Sequence, residues 1–183
     1  MKKLFIHSCC GPCLYASYDA ISASAGDARL LASFFNPNIE PGEEWLLRSS
    51  AFFDICRLLN VTAEVVPELS NNDEHEALLE NRCSFCYNLR LQRSMESAKS
   101  RGFNVFTTTL LSSPTQNQGL LRRTLKHLES ELSIEVYYFE VSKNEYESKV
   151  RELKNRNIYV QNYCGCYGSL CEREFDKYGL LWR

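Results

Sequence analysis

Short, uniformly apolar runs alternate along the chain with stretches in which apolar residues return every three to four positions. The runs are Leu4 to Ile6, Leu30 to Phe35, Ala63 to Val66, Val105 to Thr109 and Val136 to Phe139. They are short and sharply bounded, as strands buried on both faces are. Between them, Leu14, Tyr18 and Ile21, then Trp45, Phe52, Cys56 and Leu59, then Leu91, Met95 and Ala98, then Leu121, Leu125, Leu128 and Leu132 fall at helical spacing, and Tyr146, Val150 and Leu153 predict one more helix. Alternation of strand and helix predicts a mainly parallel, five-stranded sheet covered on both faces, because parallel neighbours require crossover connections and those are right-handed. The expected architecture is a single Rossmann-like α/β domain over residues 1–183, closed by a C-terminal loop that contains cysteines. A length of 183 residues and a 44% hydrophobic fraction suit one sizeable core.

The cysteines change this picture from a scaffold to a candidate chemistry. Of nine, seven fall into three tight clusters: Cys9, Cys10 and Cys13; Cys83 and Cys86; Cys164 and Cys166. Functional groups of an open parallel sheet collect beyond the carboxyl ends of its strands. Cys9, Cys10 and Cys13 follow the first strand, with Pro12 suited to the first turn of the next helix. Asn36-Pro37-Asn38 follows the second strand, Cys83 and Cys86 lie in the long connection after the third, and Ser112-Ser113-Pro114 follows the fourth. One rim can therefore hold all seven thiols, including those of the C-terminal loop. Four thiolates saturate one zinc ion or one iron–sulfur cluster, which leaves three. Adjacent residues of an extended segment point in opposite directions, so Cys9 and Cys10 suit two neighbouring centres.

Other readings of the thiols fit less well. An odd cysteine count in a chain of medium length does not suit a disulfide framework. Cys10-Gly11-Pro12-Cys13 has the thioredoxin-type spacing, but dithiol exchange leaves Cys9 and the other clusters without work. A zinc-binding module would use the thiols for folding alone. A nucleotide-hydrolysing α/β enzyme would carry a glycine- and serine-rich phosphate loop where this chain has cysteines. Residues 1–7 contain no secretory apolar core, no stretch has the length of a membrane span, and free thiols belong in a reducing compartment; the expected location is the cytoplasm. A net charge of −2 excludes a globally basic nucleic-acid binder and leaves room for a local basic patch.

His7-Ser8-Cys9-Cys10-Gly11-Pro12-Cys13, Asn36-Pro37-Asn38-Ile39 with Arg48, Arg82-Cys83-Ser84-Phe85-Cys86-Tyr87 with Arg90-Leu91, Phe106 to Leu111 running on to Ser113-Pro114-Thr115-Gln116, and Tyr159-Val160-Gln161-Asn162-Tyr163-Cys164-Gly165-Cys166 stand in that order. Together they resemble the metal-dependent, cobalamin-independent epoxyqueuosine reductase family over nearly the whole chain. The resemblance implies a HUP-like form of the α/β fold. It further implies reduction of the epoxide of epoxyqueuosine, at the wobble position of tRNA, to the alkene of queuosine, the last step of queuosine biosynthesis. The implied cofactors are a [4Fe-4S] cluster and an adjacent mononuclear iron; the implied partners are the tRNA and an external low-potential donor of the ferredoxin or flavodoxin kind. Removal of the oxygen as water takes two electrons and two protons, which suits a one-electron cluster working beside a Lewis-acid metal.

On the same resemblance, Cys83 and Cys86 with one thiol from each other cluster hold the cubane, and the remaining three, Cys13 among them, hold the lone iron. Some relatives that the chain resembles carry aspartate at the position of Cys13, which also binds iron. Gly11 replaces the usual alanine, a change expected to be harmless, and Thr115 replaces a common tyrosine. Residues 141–144 lack the Asp-Phe-Arg often found there. Tyr87 and Tyr163, close to the thiols, are candidate catalytic proton donors alongside Cys13. Asn36, Thr109, Ser113, Gln116 and Gln161 are candidate substrate contacts. His7 is expected to be a hydrogen-bonded core histidine that orients a ligand, and Cys56 and Cys171 to be structural. Arg122, Arg123 and Lys126, with Arg48, Arg82, Arg90 and Arg93 elsewhere, are candidates for tRNA phosphate contacts.

Overall fold

The structure, a computed structural model, describes residues 3–26, 28–66 and 78–178. Its elements run β1 (Lys3–His7), α1 (Gly11–Ala25), β2 (Arg29–Phe34), α2 (Gly42–Leu59), β3 (Thr62–Val65), α3 (Leu78–Ser100), β4 (Val105–Thr108), a 3-10 turn (Thr109–Ser112), α4 (Gln118–Leu132), β5 (Glu135–Val136), α5 (Lys143–Asn155) and α6 (Tyr167–Tyr178). The five strands form one sheet in the order β3-β2-β1-β4-β5. Every pairing is parallel, with Ile6 beside Ala32 on one flank and Thr107 on the other. Helix α1 packs on α2 and α5, while α3 packs on α4. These two layers bury Phe5, Ile6, Phe34 and Phe106 at the sheet centre.

The five strands and the α/β class agree with the reading of the sequence. Two features differ. Cys83 and Cys86 do not sit in an irregular connection but on the early turns of α3, just past Asn81, where a non-helical backbone (φ −127°, ψ 30°) kinks the element. The C-terminal cysteines, expected on a loop, do lie on one, but residues 167–178 beyond them form helix α6, which contains no buried residue. Tyr167, Leu170, Cys171, Phe175 and Tyr178 do recur there at helical spacing, a period the sequence reading did not pick out.

The order 3-2-1-4-5 reverses direction between β1 and β4, and there the first connections of the two halves diverge and open a crevice. The two edges of the crevice are joined by the hydrogen bond from the Cys9 backbone N–H to Thr109 Oγ1 (3.0 Å), while the Ser8 N–H to Ser33 carbonyl bond (2.8 Å) ties the end of β1 to β2. Among the described residues, no helix is long and apolar enough to cross a membrane.

Candidate metal centre

Helix α1 begins where β1 ends, and its first turn is built by cysteines. Cys10 is the N-cap, in extended conformation, and its Sγ accepts the Cys13 backbone N–H at 3.4 Å, with Pro12 in the first turn. A helix N-terminus favours negative charge on that sulfur. The Sγ atoms of Cys9, Cys10 and Cys13 lie within 4.8 Å of one another, all buried; Cys9 and Cys10 therefore do not point apart as an extended segment predicts, and the three are close enough to serve one metal or two adjoining centres. Burial opposes ionisation of Cys10. The thiols of Cys13 and Cys9, the Cys13 N–H and the Arg48 charge nevertheless pull its pKa well below the ordinary thiol range. Hydrogen bonding to Cys10 pushes Cys13 and Cys9 the other way.

The other two clusters meet across the crevice. Cys86 is buried, and its Sγ accepts from Asn38 Nδ2 at 3.1 Å and from Arg90 Nη2 at 2.9 Å. Burial raises its pKa while the Arg90 charge opposes the rise, and the thiols of Cys166 and Cys83 are close enough to add to it. Cys164 has its pKa lowered to about 6, first by a hydrogen bond from Cys166 and against its own burial, with help from Arg90; Cys166 is pushed up correspondingly. All nine cysteines are free thiols.

Most of these sulfurs are met by a polar hydrogen. Thr109 donates to Cys9 (3.3 Å), Gln161 Nε2 to Cys10 (2.9 Å) and Gln116 Nε2 to Cys164 (3.6 Å). Tyr146 Oη lies 3.5 Å from Cys13 Sγ, whereas the Cys166 thiol itself donates to Ser169 Oγ at 3.4 Å. Donors of this kind stabilise thiolates that carry the charge of a bound metal. Among the described residues, Asn38 Oδ1 and Gln161 Oε1 are buried without a partner, so both amides are committed through their N–H groups to sulfur. Soft donors, five of them buried with Cys83 and Cys164 exposed, and the polar hydrogens around them fit a thiolate-bound iron–sulfur group.

The loop that carries Cys164 and Cys166 is fastened from below by a buried ion pair. Arg48 Nε donates to Glu44 Oε1 at 2.7 Å, its Nη1 to the Cys164 carbonyl at 2.7 Å and its Nη2 to the Tyr163 carbonyl at 3.0 Å. Tyr159 donates to the second Glu44 oxygen at 2.6 Å. The Glu40 N–H reaches the Gly165 carbonyl at 2.8 Å, and Gly165 adopts φ 120°, a region that favours glycine.

The placement of the expected residues corrects several roles. Arg48 is 2% exposed and directs its guanidinium at Glu44 and two carbonyls, so it braces the loop and is not presented to a phosphate. The Tyr87 hydroxyl donates to Gln116 Oε1 (2.8 Å) and accepts the Asn117 N–H (3.1 Å), and burial pushes its pKa up to about 12. It orients Gln116 toward Cys164 and is not placed as a proton donor. The Tyr163 hydroxyl donates to the Glu40 carbonyl, and its ring lies between Arg48 at 5.0 Å and Arg173 at 4.5 Å. Asn36 is fully buried, donating to the Ser8 carbonyl at 2.9 Å and accepting from Arg90 at 3.2 Å. Thr109, Gln116 and Gln161 face sulfur, and Ser113 bonds to Thr115 at 3.0 Å.

His7 stands as expected in the core, between Thr108 Oγ1 (2.8 Å) and the Phe35 carbonyl (3.0 Å). Burial, then the Arg90 charge, lowers its pKa to about 4, so it is neutral and its Nε2–H is the donor to the carbonyl. Cys56 is buried on the apolar side of α2, and Cys171 is partly buried on α6. Arg123 and Lys126 are exposed on α4, while Arg122 reaches Glu140 at 3.2 Å. Arg90, expected at a phosphate, is instead buried at 3% exposure with its guanidinium on Cys86 Sγ. Asn38, Glu44 and Tyr146 are site residues that the sequence reading did not single out, because a polar residue on a helix or loop carries no period that marks it as buried.

Comparison with known proteins decides the family. The model of the family described as epoxyqueuosine reductase QueH matches residues 4–172. The chain belongs to the epoxyqueuosine reductase QueH family. It is 33% identical to epoxyqueuosine reductase QueH of Thermotoga maritima, over all of this chain and 97% of that protein. It is 33% identical to the Helicobacter pylori QueH over 91% of this chain and 49% of that longer protein, and 29% identical to the Acinetobacter baylyi QueH over 92% and 80%. Among solved structures, a crystal structure described as a predicted subunit of tRNA methyltransferase from Methanocaldococcus jannaschii superposes with a TM-score of 0.60 at 9% identity, covering 98% of this chain and 90% of that one. That likeness concerns the fold alone. QueH membership removes the zinc-module reading, and burial of Cys10 and Cys13 to 1% and 2% exposure leaves neither accessible to a partner's disulfide. The phosphate-binding alternative fails as well, because the N-terminus of α1 is capped by Cys10 sulfur.

Proposed function

We propose that this protein reduces epoxyqueuosine in tRNA to queuosine, using a thiolate-bound [4Fe-4S] cluster and an adjacent iron. The observation that carries the reading is the match to the QueH family over residues 4–172 in a chain whose cysteine motifs converge on one crevice. The reaction is an oxidoreduction: the epoxide takes up two electrons and two protons, both C–O bonds break, and the alkene and one water are released. When bound, the cluster supplies electrons one at a time and the iron a Lewis acid for oxygen.

The chain's own residues hold and tune the sulfur ligands. Cys83 and Cys86, with one thiol from each of the other clusters, are the proposed cubane ligands; the other three, Cys13 among them, serve the iron. The Arg90 charge is felt by Cys86, Cys164 and Cys9, one thiol from each cluster, which supports that division. Thr109, Gln116 and Gln161 orient thiolates as well as lining the space a base would enter. Arg123 and Lys126, on the helix that leads away from this rim, are the proposed phosphate contacts, with Arg122 beside them. Docking of an anticodon loop needs the modified base splayed from its neighbours toward the thiols. The proposal extends to a single working domain over residues 1–183, to the cytoplasm, and to a ferredoxin- or flavodoxin-like donor.

The test is turnover. Anaerobically reconstituted protein supplied with a low-potential reductant should convert epoxyqueuosine in tRNA to queuosine, read by mass spectrometry of the digested nucleosides. Absence of queuosine from a fully iron-loaded preparation would overturn the assignment.

A further inference from the structure

Arg90 is a buried cation with no carboxylate to answer it. It is 3% exposed, and among the described residues no Asp or Glu pairs with it. Its guanidinium donates instead to Cys86 Sγ (2.9 Å), to Asn36 Oδ1 (3.2 Å) and to the Cys86 carbonyl (3.4 Å). Burying a guanidinium without an opposite charge is costly, and such groups persist where a negative partner is supplied. Burial weakens its charge, but the thiols of Cys86, Cys164 and Cys9 and the Tyr87 phenol restore it. The same side chain ties the clusters together, because Asn36, which accepts from Arg90, donates to the carbonyl of Ser8 at 2.9 Å, next to Cys9.

A cluster ligated by four thiolates is an anion, and each electron it accepts adds one unit of negative charge. A fixed cation beside one of its sulfurs stabilises the reduced form more than the oxidised form, and N–H donors to sulfur act in the same sense. We propose that Arg90 is the fixed counter-charge of the iron–sulfur cluster and holds its reduction potential up through Cys86. This rests on the reading of Cys86 as a cluster ligand. Arg90 is a positioning residue: it touches a ligand sulfur and not the substrate.

The experiment is a redox titration of the wild type, Arg90→Lys and Arg90→Gln, each reconstituted anaerobically, with the cluster followed by its visible absorption and by electron paramagnetic resonance. Arg90→Gln should load its cluster and show at least a tenfold fall in the equilibrium constant for one-electron reduction, about 59 mV toward negative potential. Arg90→Lys, which keeps the charge, should stay near the wild type. A brace that only fastens α3 to the β2 loop would change stability and leave the potential where it was. The proposal is overturned if loaded Arg90→Gln keeps the wild-type potential, if Arg90→Lys shifts as far as Arg90→Gln, or if neither variant loads, since the charge-preserving change should be tolerated. Should Arg90→Gln alone fail to load, a wild-type potential in Arg90→Lys sustains it and a large shift removes it. A wild type that holds no cluster is a different failure and strikes the proposed function itself.

Discussion

A thiol in the crevice and a thiol in the core meet opposite surroundings, although both are buried. Cys86 is approached by an amide and a guanidinium. Cys56 is held only by burial, which pushes its pKa up to about 12. Cys83→Ala and Cys164→Ala should therefore abolish reduction of epoxyqueuosine tRNA, because each removes a ligand for which no neighbouring residue substitutes. Cys56→Ala should keep most of the turnover and cost about 1 kcal/mol in urea unfolding. Full activity in either of the first two variants would remove that cysteine from the site. The proposed ligands were legible in the sequence because thiolate metal sites draw on one residue type at short spacings. The donors were not, since the amide of Asn38 and the guanidinium of Arg90 resemble any surface polar group until the fold buries them. Tyr87 and Tyr163 misled for the converse reason: proximity in sequence to a cysteine places a ring near the site but does not say where its hydroxyl is spent.

Helix α1 starts so close to α2 that its first residue admits no side chain. A Cβ on Gly11 would lie 2.7 Å from the Ala51 carbonyl oxygen and 2.9 Å from its carbon, so the exchange of the family's usual alanine for glycine is not neutral here. Backbone cannot swing aside as a flexible side chain does. Gly11→Ala should destabilise the protein by ~1–3 kcal/mol in thermal or urea unfolding and disturb the first turn that carries Cys10 and Cys13; an unchanged midpoint would show that α2 yields freely. The loop from 159 to 166 depends in the same way on the buried Glu44–Arg48 pair. Glu44→Gln leaves Arg48 without its counter-charge, which costs ~3–5 kcal/mol when such a pair is broken. Its expected signature is iron content that falls before overall helix content does; equal iron content in the variant would count against the bracing role. Five strands and five helices followed from apolar period, but α3 begins earlier than its legible stripe of Leu91, Met95 and Ala98. Its first buried positions are Cys86, Tyr87 and Arg90, residues whose types belong to chemistry and so hide the period.

At the scale of the molecule, a chain with a net charge of −2 must find its tRNA through a local patch. Arg123 and Lys126 on α4 are exposed, unlike Arg48, whose guanidinium is occupied by Glu44. The double variant Arg123→Glu with Lys126→Glu should weaken tRNA binding and reduce the slope of log affinity against log salt by about one unit for each phosphate no longer neutralised, measured by filter binding; an unchanged slope would place the phosphate surface elsewhere. Doubly wound topology was legible because a parallel sheet needs crossovers of one hand, and it places residues 9–13 and 83–86 toward one rim, while residues 164–166 are held there by Arg48 and the Glu40 N–H. The most direct measurement is the iron and acid-labile sulfide content of anaerobically purified, reconstituted protein. Seven thiolates serving a cubane and a separate iron predict about five iron and about four sulfide per chain, whereas zinc in place of iron, or iron without sulfide, would contradict it.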